Sequence, residues 1–157
     1  MLARFSPAPS AQGADVIARA VGAVALATLA MIHVIDLPGT LGPIPLVGVG
    51  YLGIIAAAVL VGGVMIARSH WLVWAAAGGL AVSAMGGYVL TRTVPGFLGD
   101  HGDVGNWHCS LGIAALTAET LLILLAAWQV RILATRRVPQ PQLEPARRRA
   151  PEYSHPG

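Results

Sequence analysis

Residues 109–130 read CSLGIAALTAETLLILLAAWQV. At about 1.5 Å of rise per residue, this stretch crosses a bilayer core of roughly 30 Å as a single helix. Its one charged side chain is Glu119. Three more stretches have the same length and character: Val16–Ile35, Val47–Ala67 and Trp71–Thr91. Four such spans in 157 residues predict an all-α fold, an integral membrane four-helix bundle.

Composition agrees. Mean hydropathy is +0.68 and 11% of residues are charged, where a soluble domain carries roughly a quarter. The spans use most of the chain, so no additional soluble domain of ordinary size fits. The remaining polar residues fall in an N-terminal segment (1–15), a loop (92–108), short turns and a Pro/Arg-rich tail (132–157). Residues 1–14 and the segment from 138 have the composition of disordered chain. The apolar run of the first span is too long for a cleaved signal core, so it is expected to be retained.

Every basic residue is Arg. Arg4, Arg19, Arg68, Arg131, Arg136, Arg137 and the Arg147–Arg149 run fall on one side of the spans, and only Arg92 on the other. The positive-inside rule then places both termini in the cytoplasm of a multi-pass protein in the bacterial inner membrane. The sequence pI of about 9.8 reflects these flanks and not nucleic-acid binding, since no aromatics interleave the basic run. Anionic lipid is the expected contact of the basic tail. Trp71, Trp74 and Trp128 read as an inner interfacial belt, and Tyr51, Tyr88 and Trp107 as an outer one.

The short Arg68–Ser69–His70 turn makes spans two and three antiparallel neighbours. Leu37–Leu46, with Pro38, Gly39, Gly42, Pro43 and Pro45, reads as a rigid outer turn. Helices in lipid associate through small residues. The expected contacts are Ala75, Gly79, Ser83 and Gly87 on span three, Ala58 and Gly62 on span two, and Gly112, Ala115 and Ala126 on span four.

Glu119 is the outstanding polar residue. It lies about 15 Å into span four, near the midplane. A carboxylate there costs several kcal/mol if ionised and alone, so it must be neutralised or partnered. It shares a face with Gly112, Ala115 and Ala126, and Thr28 and Ser83 lie at similar depth as candidate partners. Its functional readings are a proton relay, an ion site or a quinone contact; the plainer one is an interhelical hydrogen bond.

A second polar cluster falls at the outer surface: Asp36, Arg92, Asp100, Asp103 and Trp107, with His33, His101, His108 and Cys109 as candidate metal ligands. Imidazole, carboxylate and thiolate suit zinc or copper, and His33 with His108 would clamp a haem b if both faced the interior. His108 precedes Glu119 by eleven residues, three helical turns, and so is expected to face the same interior. No H-x-x-x-H, C-x-x-C or EF-hand spacing supports a metal, and ordinary loop polarity is the competing reading. Arg92 stands where positive charge is disfavoured, with Asp36, Asp100, Asp103 or a lipid phosphate as its expected partner. Arg19 is expected to snorkel, and His70 to wet the interface. A lone Cys109 most often packs as a small apolar residue.

The run GYVLTRTVPG (87–96), followed by GNW (105–107) and LGIAALTAE (111–119), resembles a family of small, uncharacterised four-helix membrane proteins of actinobacteria and related bacteria. That family's pattern joins an SRT…PG helix exit through GNW-x-EPLG to a last span with an Ala-Glu pair. By this resemblance Arg92, Trp107 and Glu119 occupy family positions, and His33 matches a His often carried by the first span. The chain departs at Cys109–Ser110, where the family has Glu-Pro. The resemblance implies no activity.

No nucleophile–base pair or cofactor motif is present, and the loops are short. The leading expectation is therefore non-catalytic: an accessory or assembly component of a membrane or respiratory complex. The alternatives are a metal- or haem-binding redox protein using the outer histidines, and a proton-coupled transporter working as a homodimer around Glu119. The expected partners are the lipid bilayer and a membrane complex or a second copy, with no nucleic acid.

Overall fold

A computed structural model of the chain describes residues 11–68 and 70–135. Four helices follow one another: α1 (Ala11–Leu41), α2 (Pro45–Ala67), α3 (Trp71–Thr93) and α4 (Ser110–Thr135). Each is long and apolar enough to cross a membrane, which supports a multi-pass membrane protein. Sequence neighbours pack side by side, and α4 closes the bundle against α1. The turn 42–44 and the loop 94–109 therefore share one end, the loop end. The turn 68–70 lies at the other.

The first and last helices overrun their expected limits. Residues 11–15 and 132–135 are helical, while the expected disorder of 1–10 and 136–157 lies outside the described residues. The outer turn is also shorter than expected, because α1 continues through Pro38 to Leu41. Proline in a helix removes one backbone hydrogen bond. Here less than one turn lies beyond it, so little is lost. The Thr40 hydroxyl bonds back to the Leu37 carbonyl at 3.1 Å, and Ile44 N–H donates to the Thr40 carbonyl at 2.8 Å. Pro45 then opens α2, at a position where a missing N–H costs nothing.

The interior is built mostly of alanine, with a few large side chains: Leu26, Leu29, Met65, Trp74 and Leu122. The big aliphatic residues point outward, among them Val24, Leu60, Ile66, Leu121 and Leu124. Small residues inside and large apolar ones outside is the arrangement that lipid favours, since close backbone approach and not apolar burial holds the helices together.

Ala58 and Gly62 on α2, and Gly112, Ala115 and Ala126 on α4, are buried as expected. The α3 stripe is not. Ala75, Gly79 and Ser83 are exposed and Gly87 is half-buried. The buried line is Trp74, Ala77, Ala81, Ala84, Thr91 and Arg92. Two alanine-rich faces lie one residue apart on this helix, and Trp74 decides between them. It sits five turns before Arg92 on the same line, and its ring fills the space over Gly22, where a Cβ would approach it to 2.7 Å. Trp74 is thus 1% exposed and belongs to the core, not to an interfacial belt.

At the 68–70 end, Arg19 bonds the Ile66 carbonyl at 3.0 Å, satisfying the C-terminal turn of α2. Asp15 sits 3.2 Å from the same guanidinium. His70 Nδ1 accepts the Leu72 N–H at 3.2 Å and so caps α3.

Candidate functional site

The loop-end half of the bundle is not filled. A cavity of about 440 Å³ runs from Phe97 and Leu98 in the loop down between the four helices to Glu119. Its walls are largely apolar, with Ile32, Val47, Ile54, Ala84, Leu111 and Ala115 among them. Its polar side chains are His33 and Asp36 from α1, Tyr51 from α2, Ser83, Tyr88, Thr91 and Arg92 from α3, Cys109 before α4, and Glu119.

Glu119 is 2% exposed, and its Oε2 is buried without a hydrogen-bond partner. The expected partners point elsewhere. Thr28 and Ser83 donate instead to the carbonyls one turn back, Val24 at 3.0 Å and Gly79 at 2.9 Å. Both residues are exposed. A hydroxyl in a helix finds its own backbone more readily than a neighbour's carboxyl.

The Tyr88 hydroxyl is the second unpartnered atom on this cavity. Its ring is fixed from two sides. The Arg92 guanidinium carbon lies 3.5 Å from the ring centroid. Across the bundle, Gly112 leaves room for the ring: a Cβ there would fall 2.5 Å from Tyr88 Cε2 and 2.8 Å from its hydroxyl. Trp107 meets the same ring edge-on at 6.1 Å.

Arg92 organises the loop. Its Nε donates to the Asn106 carbonyl at 3.0 Å, its Nη1 to Thr91 Oγ1 at 2.9 Å, and its Nη2 lies 3.6 Å from Asp103 Oδ2. Of the three acidic candidates, Asp103 is the partner. Asp36 instead accepts the Tyr51 hydroxyl at 3.0 Å. Asp100, 1% exposed, accepts the N–H groups of Gly102 and Asp103 through its Oδ1. The loop turns at Gly96, whose φ of +77° suits glycine alone and whose missing side chain lets the His101 ring lie against it.

The four candidate metal ligands do not converge. Among the described residues no three His, Cys, Asp or Glu side chains gather where one metal ion could be held. His33 is buried and donates its Nδ1–H to the Leu29 carbonyl at 2.8 Å. It meets Tyr51 edge-to-face at 4.8 Å. His101 packs on Gly96, and Cys109 is half-buried at the cavity mouth. His108 is exposed and does not line the cavity. Helical arithmetic from Glu119 fails for it because α4 begins only at Ser110. The facing-histidine haem clamp therefore lacks its second arm.

Sequence reasoning missed Tyr51 and Tyr88, which it took for interfacial anchors. The spacing of Tyr88 and Arg92, one helical turn apart beside an exit signal, was the available clue. The site thus belongs to a class recognisable by its geometry: a four-helix bundle, apolar outside, with a partly polar cavity in one half. No protein-family model, curated protein or solved structure matches the chain.

Proposed function

We propose that the chain is a non-enzymatic protein of the bacterial inner membrane, with both termini cytoplasmic, that holds a small amphipathic molecule in its outer-half cavity. The observation that carries this reading is the unpartnered Glu119 Oε2 at the floor of an apolar cavity of ligand size. A buried polar atom without a partner is costly, and such atoms are rare in native interiors. A bound molecule supplies the missing partner. The arrangement favours binding over turnover. The Ser83 and Thr91 hydroxyls are held by their own helix carbonyls, so neither is set up as a nucleophile.

The test is the molecule itself. Protein purified from native membranes in mild detergent is expected to carry a small molecule at near-stoichiometric amount, detectable by mass spectrometry after extraction. Ala115→Leu, which fills the cavity beside Glu119, is expected to lose it. Equal recovery from both proteins, or nothing specific from either, would sink the reading.

A role within a larger membrane assembly is favoured by one further observation. The α3 stripe Ala75, Gly79 and Ser83 faces outward, and small residues there allow close approach of another helix. Crosslinking in native membranes through cysteines placed on that stripe tests it. Absence of any crosslinked species would count against an assembly role.

A further inference from the structure

We infer that the cavity accepts a monovalent organic cation, an ammonium-type head on a compact apolar body. This rests on reading the cavity as a ligand site and specifies what fills it.

The argument is an inventory of hydrogen-bonding capacity. Several donors on the cavity wall are already engaged. Arg92 serves Asn106, Thr91 and Asp103. The Tyr51 hydroxyl serves Asp36, the Thr91 hydroxyl the Tyr88 carbonyl, and the Ser83 hydroxyl the Gly79 carbonyl. The His33 Nδ1–H is held by Leu29, so the neutral ring can offer only an acceptor at Nε2. What is left over is acceptor capacity: Glu119 Oε2, the second oxygen of Asp36 and His33 Nε2. The Tyr88 hydroxyl, which can act either way, is buried without a partner.

Charge points the same way. Among the lining side chains, Asp36 and Glu119 count as two formal negatives against the single positive of Arg92, a sum of −1. Arg92 is further matched by Asp103 just outside the cavity. Neither the described loop nor the facing helices offer Glu119 a cation. A lone carboxylate in a low-dielectric interior either takes up a proton or pairs with a cation, and pairing offsets part of the desolvation cost.

An inorganic ion fits poorly, since no three ligating side chains converge and most of the wall is apolar. A neutral acceptor such as a quinone would leave the second Asp36 oxygen and His33 Nε2 without a donor. A cation with N–H donors and an apolar body satisfies both halves of the cavity. Its volume of about 440 Å³ lies within the roughly 300–1,000 Å³ range of small-molecule sites.

The probes are 3-phenylpropylammonium and its neutral analogue 3-phenylpropanol, titrated calorimetrically into the full chain in mild detergent, with protein-free micelles as the blank. The ammonium is expected to bind at least about tenfold more tightly than the alcohol, the scale of removing one member of a buried charge pair. Glu119→Gln, close in size to the native residue, is expected to erase that preference, so that the two probes bind with similar affinity. If that variant does not fold, Ala115→Leu must abolish ammonium binding by occlusion. Equal affinities in the wild type, or a preference that survives Glu119→Gln, overturns the cation assignment and leaves the cavity reading standing. Binding of neither probe overturns both.

Discussion

The Arg92 guanidinium carbon lies over the Tyr88 ring, 3.5 Å from its centroid and one turn along the same helix. This pair joins two parts of the molecule. Through Nε and Nη2, Arg92 holds the loop at Asn106 and Asp103. Through the ring, it presses the Tyr88 hydroxyl into the cavity against Gly112. The loop and the cavity wall at Tyr88 are therefore parts of one mechanical unit, and loss of the arginine should be felt in both.

Arg92→Ala is expected to destabilise the protein by about 3–5 kcal/mol, the sum of a charge-assisted hydrogen bond and a desolvated cation–π contact. Arg92→Lys should recover only part of this, because an ammonium cannot lie flat on the ring while bonding two loop partners. Denaturant titration in detergent gives the energies. Hydrogen exchange should show faster exchange at Gly105 and Asn106, whose amides are tied to the Arg92 carbonyl and to Asp103. Equal stability of the Ala and Lys variants with the wild type would remove Arg92 from its place as organiser.

The choice of interior face on α3 is tested by a pair of glycines. A Cβ at Gly22 would fall 2.6 Å from Met65 Sδ and 2.7 Å from the Trp74 ring, whereas at Gly79 nothing lies within 4 Å. Gly22→Ala is expected to cost about 1–3 kcal/mol through overpacking. Gly79→Ala should be neutral or stabilising by up to about 1 kcal/mol, the helix-propensity gain. A reversed order would mean that the stripe of Ala75, Gly79 and Ser83 is the true interior.

Asp100 supports the loop from within. Its buried carboxylate takes two backbone N–H groups, Gly102 at 3.0 Å and Asp103 at 3.2 Å. Removing it leaves donors without partners and releases Asp103 from the position where it meets Arg92. Asp100→Ala is expected to cost about 1–3 kcal/mol. Asp100→Asn, which keeps the accepting oxygen, should cost less. Thermal unfolding of the two variants side by side checks the order.

The spans were legible because lipid demands continuous apolar length, a property local to each segment. Glu119 was legible for the same reason, as a single violation inside such a segment. What the sequence does not encode locally is which face of each helix turns inward. The α3 stripe was misjudged because two small-residue faces compete there, and only the fit of Trp74 over Gly22 selects one. The partners of Glu119 were misjudged because depth alone was matched, while Thr28 and Ser83 stand on outward faces. His108 was placed in the interior by counting turns through residues that are not helical. The cavity itself arises from what four helices fail to fill together, so no single segment announces it. Tyr88 gains its role only where Gly112, on another helix, makes room.

Orientation is accessible through the lone cysteine. Cys109 is half-buried at the loop end of the bundle, where it lines the cavity, and the proposed topology would put that end outside the cell. In intact cells a membrane-impermeant maleimide is expected to label the wild-type chain. A Cys109→Ser, Ala67→Cys double variant moves the thiol to an exposed position at the opposite end of α2 and should be labelled only after the membrane is opened. Labelling should also slow when the cavity is occupied, since the thiol and the ligand share a wall. Wild-type protection together with labelling of the double variant would invert the topology, place the loop and the cavity mouth in the cytoplasm, and require the basic flanks to face outward.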